Sequence, residues 1–124
     1  MTQTYITERR QYAELQSYIV NHLHLPLTTP LLARRAGLTP RRLNAVFKRL
    51  YQQSVSEFLR FHRLGTAYCL LAYTDKPVKE VASLVGYRSD KNFIHAFKRK
   101  YGKTPGALRT EAQTHTNYNQ RSHL

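Results

Sequence analysis

Two short stretches of this chain carry side chains able to read a nucleic-acid base. Arg41, Arg42, Asn44 and Ala45 stand in the first, and Lys91, Asn92 and His95 stand at the corresponding place in the second. Arginine can bridge the two acceptors of a guanine, and asparagine can offer an acceptor and a donor to an adenine. Each good bidentate contact is worth roughly 1–3 kcal/mol of discrimination. Around both stretches stand hydroxyls and cations suited to phosphate oxygens: Thr39, Lys48 and Arg49 in the first, and Arg88, Ser89, Lys98 and Arg99 in the second. Phosphate contacts fix position, whereas base contacts carry sequence. Ile94 can pack on a thymine methyl. Asp90 can accept from a cytosine amino group, although a first-turn acid that stabilises its own helix through the dipole is the better reading.

These groups need a framework, and the chain writes one twice. Residues 32–50 read LARRAGLTPRRLNAVFKRL and residues 81–100 read VASLVGYRSDKNFIHAFKRK. Ala33 and Gly37 return forty-nine positions later as Ala82 and Gly86, while Leu43, Phe47, Lys48 and Arg49 return after fifty as Phe93, Phe97, Lys98 and Arg99. The second copy therefore carries one extra residue just after its glycine. Each copy has a short apolar helix, a glycine, a polar capping residue and a second helix with apolar positions three and four apart. That grammar is a helix-turn-helix, and two of them in one basic chain point to DNA.

The remaining elements follow from periodicity and punctuation. Tyr12, Leu15, Tyr18, Ile19 and Leu23 predict a first helix over 8–24, ended by Pro26. Thr28 or Thr29 caps a second helix, with Pro30 in its first turn and Gly37 after it. Thr39 caps a third, with Pro40 in first position and Leu43, Val46, Phe47 and Leu50 inward. Ser54-Val55-Ser56-Glu57 opens a long helix to about Tyr73. Inside it, Gly65 is either a close-packing site or a weak point costing about 1 kcal/mol relative to alanine. Helices over 78–85 and 89–101 repeat the earlier pair, and Thr104-Pro105 opens a short last helix through Leu108 and Arg109. The expected organisation is a helix-turn-helix subdomain at 8–53, a linker helix at 54–74, a second subdomain at 75–112 and a disordered polar tail at 113–124.

Composition narrows the function. The chain has 124 residues, of which 41% are hydrophobic, enough for a modest core. Lys and Arg number 20 against 7 Asp and Glu, a net charge of +13 that draws polyanions before any specific contact forms. No run approaches the ~20 apolar residues of a membrane span, and the start MTQTYITERRQYAEL lacks a signal segment. The single cysteine, Cys69, lies among Ala67, Tyr68, Leu70 and Leu71 and reads as a buried small hydrophobe. The acids are scattered, so no catalytic constellation forms. His22 and His24 have no ligand partners at metal spacing and read as ordinary surface or partly packed residues. Arg34 and Arg35 in the first motif, like Lys98-Arg99-Lys100 in the second, read as phosphate contacts. Phe47, Phe93 and Phe97 take the inward spacing of core residues rather than that of a stacking platform.

Spacing adds a constraint. A helix from about Ser54 to Tyr73 is roughly 30 Å long at 1.5 Å per residue, close to one turn of B-DNA at roughly 34 Å. A single monomer could therefore place both recognition helices in successive major grooves, with no dimer required. The first helix, with Arg41, Arg42 and Asn44, is expected to read its half-site stringently, and the second loosely.

The order of elements resembles the DNA-binding domain of the AraC/XylS family of bacterial transcription regulators over about residues 10–110. So do the glycine, polar cap, Leu and Phe pattern ending in Phe47-Lys48-Arg49, and Arg63-Leu64 with Ala67 in the joining helix. Gly86-Tyr87 followed by Phe93, Phe97 and Tyr101-Gly102-Lys103-Thr104-Pro105 completes the likeness. The resemblance implies an all-α, homeodomain-like fold of seven helices in two helix-turn-helix subdomains joined by a long central helix. It implies transcription regulation, most often activation with RNA polymerase as partner, in the cytoplasm at the bacterial nucleoid. The family's base-reading sites fall on Arg41, Asn44 and Ala45, and on Asp90, Lys91, Asn92 and His95. Ala45 and His95 each replace a common arginine, Tyr87 replaces phenylalanine, and Gln52 stands where glycine is frequent in the family.

The expected partner is double-stranded DNA, without enzyme activity, cofactor, metal, membrane or small-molecule site. The competing reading is a non-specific nucleic-acid binder or protein-interaction module that keeps the fold. Family members usually carry a separate sensing domain, so the chain is either a stand-alone regulator, which the Met1 start favours, or a DNA-binding half.

Overall fold

The computed structural model describes the backbone of residues 2–122 and the side chains of residues 7–114. Among the described residues there are seven α-helices and no strand: α1 (Thr2–Asn21), α2 (Thr29–Ala36), α3 (Pro40–Tyr51), α4 (Val55–Tyr73), α5 (Val78–Leu84), α6 (Asp90–Tyr101) and α7 (Pro105–Ser122). The chain divides into two compact units, Met1–His62 and Arg63–Leu124. The division falls inside α4, so each half of that helix belongs to one unit. Its first half gives Val55, Phe58 and Leu59 to the core of the first unit. Its second half gives Leu64, Ala67 and Leu71 to the core of the second.

The repeat in sequence is a repeat in hydrogen bonds. Leu38 N–H donates to the Ala33 carbonyl at 2.8 Å, closing α2, and forty-nine residues on Tyr87 N–H donates to the Ala82 carbonyl at 2.9 Å, closing α5. Gly37 and Gly86 sit at these corners with φ of +71° and +93°, which a Cβ would disfavour. Thr39 Oγ1 accepts from Arg42 N–H and Ser89 Oγ accepts from Asn92 N–H, both at 3.2 Å, so the offset has become fifty. The inserted residue is thereby located: Tyr87 and Arg88 span the turn that Leu38 spans alone.

Packing then follows the predicted spacing. Leu43, Val46, Phe47 and Leu50 are buried on α3, as are Phe93 and Phe97 on α6. Phe47 meets Phe58 edge-on at 5.2 Å, and Phe97 lies 4.7 Å from Tyr101. Truncating such a buried phenylalanine to alanine costs about 3–5 kcal/mol.

Three details depart from expectation, and one open alternative is closed. Helix α1 begins at Thr2, since neither proline nor glycine precedes Glu8, and it stops at Asn21, before His24. Helix α7 continues past Arg109 to Ser122, because nothing after Pro105 and Gly106 breaks the backbone ladder. The expected disordered tail at 113–124 thus enters the structure as helix up to Ser122, and its side chains from residue 115 onward lie outside the described residues. Cys69 is exposed rather than buried. Two residues beyond buried Ala67, it has turned about 200° around the helix, away from the core. Gly65 has nothing within 4 Å of where a Cβ would stand, so of its two readings close packing is excluded and the weak point remains.

Candidate nucleic-acid interface

With its apolar residues inward, each recognition helix turns a basic face outward. On α3 the residues Arg41, Arg42, Ala45, Lys48 and Arg49 are exposed, and on α6 Lys91, Asn92, Ile94, His95, Lys98 and Arg99 are exposed. Arg88 is exposed in the turn ahead of α6. The last turns of both helices are basic, with Lys48 and Arg49 on α3 and Lys98, Arg99 and Lys100 on α6. Cations there also offset the negative end of the helix dipole. Asp90 opens α6 as the sole acid of its first turn, where it favours the positive end.

Several expected contact residues already have structural work. Thr39 and Ser89 are the N-caps of α3 and α6, their oxygens occupied by Arg42 and Asn92 N–H groups. Each hydroxyl keeps its own proton for a phosphate. Arg49 pairs with Glu8 of α1 at 2.6 Å, with its side chain 54% exposed. Such a surface pair is worth about 0–1 kcal/mol, but it offsets part of the charge offered to a phosphate. Arg99, fifty residues on, makes no ion pair among the described residues. Sequence gives no warning of the Glu8 contact, which joins residues forty-one apart.

Asn44 stands apart from the other expected base readers. It is half-buried, and its Oδ1 accepts the backbone N–H of Val55 at 3.0 Å, in the first turn of α4. One of the two lone pairs of the oxygen that reading an adenine would use is therefore engaged within the protein. Its counterpart in the second copy, Ile94, is 38% exposed.

Other basic and aromatic residues fall outside the recognition helices. Arg35 lies over the Tyr18 ring at 3.8 Å, a cation–π contact, and Arg34 beside it is exposed. His22 stacks on the same tyrosine at 4.2 Å, with Nδ1 2.7 Å from the Tyr18 carbonyl oxygen, so its role is to pack the end of α1. Arg109, predicted only as the end of a helix, donates from Nε to the Leu71 carbonyl at 2.9 Å and caps α4. Among the described residues no three His, Cys, Asp or Glu side chains gather as a metal site. No described helix is long and apolar enough to cross a membrane.

Two helix-turn-helix units, each with an exposed basic second helix, meet a family pattern directly. A family model described as a helix-turn-helix domain matches residues 32–111. The chain belongs to the AraC family of DNA-binding domains. It is 30% identical to the regulatory protein SoxS of Salmonella typhimurium over 95 residues, covering 77% of this chain and 89% of SoxS. It is 33% identical to the HTH-type transcriptional regulator YtdP of Bacillus subtilis over 108 residues, which are 84% of this chain but only 14% of YtdP. The AraC-family fold is matched at a TM-score of 0.80 by the DNA-binding domain of the global transcriptional factor AdpA, solved in complex with a target DNA. That likeness has 30% identity and covers 83% of this chain and 93% of the other. As an AraC-family domain the chain is a DNA-binding module of transcription regulators, all-α and homeodomain-like, and not an enzyme.

Proposed function

We propose that this domain recognises a specific sequence of double-stranded DNA as a monomer, inserting α3 and α6 into successive major grooves. The observation that carries the reading is that one chain builds the same unit twice. Each unit has its own core and its own exposed basic recognition helix, and a two-fold dimer is the usual means of supplying such a pair. Arg41, Arg42 and Ala45 on α3 and Lys91, Asn92 and His95 on α6 face the bases in this reading. Phosphates are met by Thr39, Lys48, Arg49, Arg88, Ser89, Lys98 and Arg99.

The biological consequence is control of transcription in the bacterial cytoplasm, as an activator working with RNA polymerase. The family likeness supports that sign and partner. The test begins with a site selected from random duplexes and a band-shift titration against a large excess of unselected DNA. Retained binding, with one chain per duplex of about two turns by sedimentation, is the expected result. Equal competition by unselected DNA, or a requirement for two chains, would overturn the reading. Transcription from a promoter bearing the selected site, with and without the chain, then tests activation.

A further inference from the structure

The two copies differ at one pair of positions in a way that local sequence rules do not require. The start of α4 has N–H groups without intrahelical partners, as every helix does. Ser54 Oγ accepts from Glu57 N–H at 3.2 Å, and Glu57 Oε1 accepts from Ser54 N–H at 3.3 Å, a reciprocal capping box. The N–H of Val55, a residue with no exposed surface, is left over, and Asn44 Oδ1 takes it. In the second copy Thr104 Oγ1 accepts from Ala107 N–H at 3.1 Å in the same manner. The residue fifty positions after Val55 is Pro105, which has no N–H to satisfy. The residue fifty positions after Asn44 is Ile94, which has no acceptor to offer. Donor and acceptor are present together in one copy and absent together in the other.

We infer that Asn44 is a positioning residue, not a base reader: its bond to Val55 N–H sets how α3 sits against the start of α4, and thereby where Arg41, Arg42 and Ala45 meet the DNA. The inference rests on the proposed function for its DNA-binding consequence and on the structure for the bond. The pair of the second copy is the same junction built without a hydrogen bond. Proline suits the first position of a helix, and the extended residue ahead of it suits proline in turn. The exchange Asn44→Ile with Val55→Pro should therefore convert the first junction into the second.

The experiment compares the wild-type chain, Asn44→Ile, Val55→Pro and the double variant by thermal unfolding and by a single-base scan of the selected site. Asn44→Ile alone leaves the Val55 N–H without a partner and should lower Tm by on the order of 5–10 °C. It should weaken every DNA sequence by a common factor. The double variant should recover most of the Tm loss and keep the wild-type base preference at every position. A double variant no more stable than Asn44→Ile would overturn the coupling. Recovered stability with preference lost at a single base pair would show that Asn44 reads that base, and would overturn the assignment. A wild-type scan without any base preference would sink the proposed function, and this inference with it; that result is recognisable before any variant is made.

Discussion

Gln52 is the only residue other than glycine with positive φ among the described residues, at φ 58° and ψ 27°, and it ends α3. Its counterpart at the end of α6 is Gly102, at φ 74° and ψ 5°. Both donate their backbone N–H to a lysine carbonyl four residues back, Lys48 at 3.1 Å and Lys98 at 2.8 Å, so the two ends do the same work with different residues. A left-handed conformation costs an L-residue about 1–2 kcal/mol. Against that, glycine is looser in the unfolded chain by roughly 0.5–1 kcal/mol. The Gln52 side chain also donates to the Arg49 carbonyl at 3.2 Å on an exposed surface, a bond whose net contribution is at the low end of about 0.5–1.5 kcal/mol. The balance favours glycine by about 0.5 kcal/mol, which for a unit of this size is roughly 2–4 °C. Gln52→Gly is therefore expected to raise Tm by that amount, and Gly102→Gln to lower it by a similar amount. Thermal unfolding by circular dichroism reads both. An unchanged or lowered Tm for Gln52→Gly would refute the reasoning, because the side-chain bond would then outweigh the backbone strain.

At Gly65, inside α4 with open space around it, alanine is expected to stabilise by about 1 kcal/mol, measured by urea unfolding with m unchanged. Arg41→Ala should weaken the selected site far more than random DNA, whereas Arg99→Ala should weaken both alike and flatten the salt dependence by about one phosphate; titrations at several salt concentrations on both DNAs distinguish the two. The hydrogen bonds from Ser54 hold the Glu57 carboxyl below the ordinary glutamate range, so its contribution to stability is present above that range and lost as pH falls through the lowered value. The stability gap between wild type and Glu57→Gln should accordingly close in acid, as followed by thermal melts from neutral pH downward.

Sequence made the framework legible because its determinants are local. Thr28, Thr39, Ser54 and Ser89 declare helix starts by their own side chains, and Pro40 and Gly37 fix a start and an end through backbone geometry. The inward faces of α3 and α6 followed from spacings of three and four. What could not be read depends on which elements meet. Whether Asn44 faces DNA or the first turn of α4 is decided by a neighbour eleven residues away in sequence, and the Glu8–Arg49 pair by one forty-one away. Cys69 was misplaced by its apolar neighbours in the chain, since composition reports a segment's average and not the face of a single position. The contrast between Val55 and Pro105 was present in the sequence, but its meaning depends on knowing that position 44 lies beside it.

Where the copies agree and where they diverge separates architecture from recognition. The bonds that close α2 and α5 recur at an offset of forty-nine, and those that cap and end α3 and α6 at fifty, so the backbone path through each unit is held by matching interactions. The outward faces share almost nothing: Arg41, Arg42 and Ala45 against Lys91, Asn92 and His95. A shared frame presenting different side chains is what reading two unlike half-sites requires. If Asn44 is a positioning residue as inferred, the expected division between them shifts. The proposed readers of α3 are then two arginines and Ala45, while α6 presents Asn92 with its side chain exposed, and His95 and Ile94 beside it. Arginine favours guanine, so the first half-site gains in charge what it loses in variety. On the proposed reading the second half-site, met by an amide, an imidazole and an apolar group, has the broader chemical vocabulary, and a single-base scan is expected to show more discrimination there than its lysines alone would give.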